Sequence, residues 1–317
     1  MLSSYLYLIA GFALLILGGD LLVKGAVGLA GRFSVPPLVI GLTIVAFGTS
    51  APELFVSLDA ALSGQPGIAI GNVVGSNIAN VLLVIGVPAL ISSMSPTERG
   101  VRRNTFAMLG ATALFLAILW FTGTISRING AILVALLLAY LVWQFIVARQ
   151  SGRGADIVDE SEVEADGQSL GGISLRIVAG LIGLPLGAHL TVSGASDIAL
   201  SWGVPETIIG LTIVGIGTSL PELATSVTAA WRGHGAVAFG NVVGSNLFNL
   251  LLIMGVTGLV VPFEVDARII QVDMWVMAAA AIILGLLVFG RVRMGKRYGL
   301  FLTASYLAYL YSLFAFG

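Results

Sequence analysis

The chain has 317 residues, 57% hydrophobic and only 10% charged, with a mean hydropathy of +1.03 and a formal net charge of −1. A soluble domain of this size carries roughly 25% charged residues, so the composition predicts an all-α integral membrane protein that crosses the bilayer many times. Near-zero net charge argues against nucleic acid as a partner, and the lack of cysteine excludes disulfides and thiolate metal sites.

Apolar runs long enough to span a bilayer, about 20 residues each, fall at 5–28, 36–62, 67–92, 104–123, 129–149, 173–196, 205–230, 236–262, 273–290 and 297–315. No basic segment precedes the first, which reads as a spanning helix and not a cleaved signal. The second and third runs carry GLTIVAFGTSAPEL (41–54) and GNVVGSNIAN (71–80). The seventh and eighth carry GLTIVGIGTSLPEL (210–223) and GNVVGSNLFN (240–249). Adding 169 to a position in the first pair gives its counterpart without a gap, and 24 of the 40 positions from 41 to 80 are identical. LGGDLLVKGA (17–26) aligns with LGAHLTVSGA (186–195) at the same offset. The chain therefore reads as two copies of one unit.

Five spans per copy is an odd number, so the second copy enters the membrane from the opposite side. The expected architecture is ten transmembrane helices in two inverted five-helix repeats: residues 1–149, a connector at 150–172, and residues 173–317. Placing both termini outside puts thirteen of the fifteen Lys and Arg residues on the inner side and leaves only Arg127 and Arg268 outside, a strong positive-inside bias. The connector is then cytoplasmic. Its Asp156, Asp159, Glu160, Glu162, Glu164 and Asp166 read as a flexible acidic linker, because they lack the ligand spacing of a calcium loop.

Acids inside a membrane are costly and mark functional sites. Glu53 and Glu222 sit mid-run at the same position of each copy, and inversion lets them meet near the midplane. Two carboxylates there repel unless a cation lies between them. Pro52 and Pro221 lack an N–H and clash with the carbonyls of Gly48 and Gly217, which predicts broken helices with main-chain oxygens exposed beside each glutamate. Thr49, Ser50, Thr218 and Ser219 add hydroxyls. An all-oxygen set of this kind suits Ca²⁺ or Na⁺ over softer transition metals.

In GNVVGSNxxN, Asn72, Ser76 and Asn80 form a polar stripe on one helix face, repeated by Asn241, Ser245 and Asn249. Asn72 and Asn241 read either as ligands or as interhelical hydrogen-bonding groups. Asn77 and Asn246 lie beside the stripe and read as helix–helix contacts. Gly71 and Gly75 make a small-residue stripe that permits close approach. Asp59 is matched by Thr228 and so lies outside a symmetric site. Asp20, matched by His189, reads as interfacial or as part of an ion path.

These motifs resemble the two alpha-repeats of the cation/Ca²⁺ antiporter superfamily, specifically the prokaryotic sodium/calcium exchangers, over essentially the whole chain. The resemblance implies that Glu53 and Glu222, with oxygens of Thr49 and Thr218, are calcium ligands. It implies sodium-site roles for Ala46, Ser50, Ser76 and Asn80 and for Gly215, Ser219, Ser245 and Asn249. Some relatives have aspartate where this chain has Asn249, which leaves stoichiometry and potassium co-transport open. The proton-coupled branch has a glutamate at the places of Gly75 and Gly244. The implied activity is antiport of Ca²⁺ against Na⁺ across the cytoplasmic membrane, with H⁺-coupled or K⁺-involving divalent antiport as the alternative. The implied motion is of the long first and sixth helices against the core. No covalent chemistry is involved, so neither an enzyme nor a cofactor is expected.

Overall fold

A computed structural model describes residues 2–33, 35–97, 100–151, 169–203 and 215–316. Most of the acidic connector, Val204, Pro205 and residues 210–214 of the second motif lie outside the described residues. The helices in chain order are α1 (Leu2–Arg32), α2 (Pro37–Thr49), α3 (Ala51–Leu62), α4 (Pro66–Ile91), α5 (Val101–Thr122), α6 (Arg127–Ser151), α7 (Leu170–Ser201), the single turn α8 (Gly215–Gly217), α9 (Leu220–Trp231), α10 (Gly235–Val260), α11 (Ile269–Phe289) and α12 (Lys296–Phe316). Seven of these are long and apolar enough to cross a membrane, and α2 with α3 forms one further candidate span bent by 41°. Large apolar side chains cover the outside, among them Phe55, Phe106, Phe121 and Leu175. A surface this apolar suits lipid rather than water.

The helices extend a few residues beyond the apolar runs because polar residues can finish a helix at the interface. Ser169 caps α7, its Oγ accepting from the Gly172 N–H at 3.1 Å, a standard N-cap bond. Helices α4 and α10 lie deepest, with 78% and 83% of their central stretches buried. Each widens just past its asparagine stripe. Val84 N–H donates to the Ala79 carbonyl, and Met254 N–H to the Asn249 carbonyl, both five residues back. Such π-type turns concentrate at functional sites.

Helices α1 and α7 pack along most of their length through a glycine seam. Gly11 meets Gly187 and Gly18 meets Gly180, while Gly25 packs on Ile177 and Gly194 on Ser4 and Leu8; Gly11, Gly18 and Gly25 are related to Gly180, Gly187 and Gly194 by the 169 offset. A Cβ at Gly180 would stand 2.7 Å from Leu22 Cβ and 2.8 Å from the Gly18 carbonyl oxygen. One at Gly187 would stand 2.9 Å from the Leu15 nitrogen and 3.0 Å from the Gly11 carbonyl oxygen. Real side chains do not tolerate such contacts, so only glycine lets the backbones approach this closely.

Contacts between loops tie the two halves together. The two-residue strands β1 (Thr124–Ile125) and β2 (Phe263–Glu264) pair antiparallel, and Met94 and Met294 exchange main-chain hydrogen bonds at 2.8 Å. Asp20 on α1 forms ion pairs with Lys24 at 2.9 Å and with Arg232, which closes the loop after α9. These groups are partly solvated and such pairs contribute little. Asp20→Asn is therefore expected to lower unfolding stability by under about 1 kcal/mol, read as a shift of at most a few degrees in a thermal melt. His189 and Asp59 are exposed.

Candidate ion-binding site

The proline does not kink the interior of a helix. The break falls at Ser50 and Ser219, whose dihedrals (φ −84°, ψ 1° and φ −87°, ψ 3°) agree between the copies. They lie in the sparsely populated bridge region. Pro52 and Pro221 are then the second residues of α3 and α9, where a missing N–H costs nothing because first-turn N–H groups have no helical partner. Glu53 and Glu222 follow in the same first turn, at the positive end of a half-helix.

Both glutamates are buried and lie within electrostatic reach of each other. Ser50 donates to Glu222 Oε1 at 3.3 Å and Ser245 to the same oxygen at 3.5 Å. Thr49 Oγ1 donates to Asn241 Oδ1 at 3.1 Å and lies 3.5 Å from Ser245 Oγ. The reciprocal contact, offset by 169 in both members, joins Thr218 Oγ1 to Asn72 Oδ1 at 3.4 Å. Thr49 and Asn241 are buried, whereas Thr218 and Asn72 are partly exposed.

The remaining predicted positions lie on the same elements. Ala46 is buried on α2, one turn before Ser50, and Gly215 opens α8 ahead of Thr218 and Ser219. Ser76 and Asn80 share the Asn72 face of α4, and Asn249 continues that of Asn241 and Ser245 on α10. Among the described residues, thirteen buried side-chain polar atoms have no hydrogen-bond partner. Seven of them belong to Glu53, Ser76, Asn80, Ser219, Glu222 and Asn249, all predicted site residues. Leaving a buried polar group unsatisfied costs about 1–3 kcal/mol, more for a charge, and a cation among the six oxygens of this set, Asn249 Nδ2 being the seventh atom, would offset that. No cluster of three or more His, Cys, Asp or Glu occurs among the described residues. Apart from the two glutamates, the only buried charged side chain among them is Asp273.

Sequence reasoning missed Ser57 and Ser226, which accept from Asn72 Nδ2 at 2.9 Å and Asn241 Nδ2 at 3.0 Å. The signal was present, since the two serines are identical at the 169 offset. Asn77 and Asn246, read alike in the sequence, differ in the structure. Asn77 donates to the Val73 carbonyl on its own helix at 2.8 Å. Asn246 accepts from Asn80 at 3.5 Å and donates to Met108 Sδ at 3.5 Å, joining α4, α10 and α5. Gly240 and Gly244 meet α2 closely at Leu38, Leu42 and Ala46, while Gly71 and Gly75 have no described neighbour within 4 Å of a Cβ position.

Comparison with known proteins bears on this geometry. The profile described as "Sodium/calcium exchanger protein" matches residues 3–146 and 173–315, so both halves are covered. The chain belongs to the sodium/calcium exchanger family. The exchanger is thus a membrane transporter and not an enzyme. It is 34% identical to the inner membrane protein YrbG of Escherichia coli, over 99% of this chain and 98% of that one. It is 34% identical to the sodium/calcium exchanger MaX1 of Methanosarcina acetivorans, over 98% of each. The solved structure of the sodium-calcium exchanger NCX_Mj soaked with 10 mM Na⁺ and 10 mM Sr²⁺ superposes with a TM-score of 0.85 at 32% identity, covering 98% of this chain and 99% of that one.

Proposed function

We propose that the protein exchanges Ca²⁺ for Na⁺ across the cytoplasmic membrane by alternating access, extruding Ca²⁺ at the expense of the Na⁺ gradient. Both ions use one site: the carboxylates of Glu53 and Glu222, oxygens of Thr49 and Thr218, the hydroxyls of Ser50, Ser219, Ser76 and Ser245, the amide oxygens of Asn80 and Asn249, and main-chain oxygens of Ala46 and Gly215. The observation that carries this reading is the concentration of unpartnered buried polar atoms on six of these residues. Hard oxygen donors with two carboxylates fit Ca²⁺ and Na⁺. Two carboxylates balance one Ca²⁺ or a set of Na⁺ ions but not both loads together, so the two ions exclude each other and exchange. The family membership and the relatives named as sodium/calcium exchangers support sodium as the coupling ion.

The proposed topology has ten spans in two inverted repeats, 1–149 and 173–317, joined by a cytoplasmic connector at 150–172, with both termini outside. Parity supports it. Ten spans place the loops of β1 and β2 on one side and those of Met94 and Met294 on the other. Losing any one span between a bonded pair would put its partners on opposite faces. The long glycine-seamed pair α1 and α7 is suited to move as a unit against the core.

The deciding measurement is ⁴⁵Ca²⁺ uptake into proteoliposomes loaded with Na⁺. Uptake is expected to follow the imposed Na⁺ gradient. Uptake indifferent to Na⁺ but abolished by collapsing a pH gradient would assign proton coupling instead, and a strict requirement for K⁺ would assign potassium co-transport.

A further inference from the structure

We propose that the ion pair of Asp20 with Arg232 is a latch that holds the inner side of the site closed, and that the outer side, where the matching positions are His189 and Ser63, has no such latch. The exchanger is thereby biased toward the state open to the outside. The inference rests on the topology proposed above, which puts Arg232 inside and Ser63 outside.

The two sides of the site are closed to different degrees. Toward the inner side α1 lies directly on α9. A Cβ at Gly19 would stand 3.0 Å from Thr228 Oγ1 and 3.1 Å from the Ala224 carbonyl oxygen, and Thr228 is buried. One residue on, Asp20 reaches across the same boundary to Arg232. The 169 offset turns these positions into Ala188 and His189 on α7 and into Phe55, Asp59 and Ser63 on and just after α3. Phe55, Asp59, Ser63 and His189 are all exposed. The ion site has the same bias. Thr49 and Asn241 are buried, while Thr218 and Asn72, which the proposed topology puts in its outer half, are partly exposed.

Inverted repeats switch access when each half takes up the arrangement of the other. Closing the outer side would then bring Ala188 onto Asp59 and His189 to Ser63, as Gly19 lies on Thr228 and Asp20 on Arg232 here. The Ser63 hydroxyl offers His189 no charge. Asp59 holds the place of Thr228, which packs on Gly19 and not on Asp20. Lys24, the other partner of Asp20 at 2.9 Å, belongs to α1 itself and ties nothing to α9. Opening inward therefore breaks an ion pair, and closing the outer side returns none. A partly solvated pair of this kind shifts a two-state equilibrium by up to about fivefold.

The chain has no cysteine, so Ser63→Cys combined with His189→Cys in the full-length protein reports closure of the outer side as an oxidant-driven cross-link. In this background Asp20→Asn and Arg232→Gln are each expected to speed cross-linking about two- to fivefold, and the two together no more than either alone. Asp20→Glu, which keeps the charge, and Lys24→Gln, which leaves the crossing pair, should stay near the parent rate. The cross-link should stop Ca²⁺ exchange and a reductant should restore it. Parent rates in Asp20→Asn and Arg232→Gln, or additive effects of the two, would overturn the latch. Failure to cross-link in every background would overturn the exchange of arrangements on which it stands. Labelling of Ser63→Cys alone with an impermeant thiol reagent on intact cells tests the topology separately. Labelling only after permeabilisation would overturn the topology and the direction of the bias, while the cross-linking rates would still decide whether Asp20 and Arg232 act as a pair.

Discussion

Glutamine at Glu53 or at Glu222 is expected to reduce Ca²⁺ exchange to near background while leaving the protein folded. The two side chains are nearly isosteric and both positions are buried, so the change is one of charge. At 4 Å and an effective dielectric of 20, a unit charge pair interacts by about 4 kcal/mol, and a divalent cation doubles that. Desolvation offsets part of it, yet half of the total still corresponds to nearly three orders of magnitude in affinity. Counter-flow of ⁴⁵Ca²⁺ in proteoliposomes measures this directly, alongside a thermal melt of the purified variants. Full counter-flow from either variant would remove both glutamates from the site. A conductance with altered selectivity and no counter-ion requirement would point to a channel.

The second large effect is expected at the glycine seam. Alanine at Gly180 or Gly187 must push α1 and α7 apart, because the added methyl would stand under 3.0 Å from backbone or Cβ atoms of α1. Overpacking of this kind costs about 1–3 kcal/mol, and exchange should fall as well, since the pair flanks the broken helices. Gly110→Ala on α5 is the control, for a Cβ there meets nothing within 4 Å. Thermal melts and Na⁺-driven uptake on the three variants check this. A seam variant as stable and as active as Gly110→Ala would show that the close approach is dispensable.

The duplication, the two glutamates and the stripe of Asn72, Ser76 and Asn80 were legible in the sequence because a gapless offset and an acid inside an apolar run need no tertiary information. The position of the helix break was not. Proline chemistry predicts a clash four residues back, but a chain can avoid it by starting a new helix just before the proline, and Ser50 and Ser219 do so. The seam was hidden for a different reason. In a chain with 41 glycines, Gly11, Gly18 and Gly25 stand out only when their seven-residue spacing and their copies at 180, 187 and 194 are read together. The divergence of Asn77 and Asn246 had no signal in either copy alone, because it depends on Met108, a neighbour from α5 that only one of them meets.

The charge inventory of the core has an electrical consequence. Two carboxylates at the site, with Asp273 set apart against Arg268 and Tyr309, and no buried basic side chain among the described residues mean that the site carrying one Ca²⁺ is neutral. A membrane field does work only on net charge, about 2.3 kcal/mol per charge per 100 mV. The calcium-carrying half of the cycle should therefore run at the same rate at any voltage. Any dependence of turnover on membrane potential would then enter through the sodium-carrying half, and would count the ions bound beyond the two that the glutamates balance.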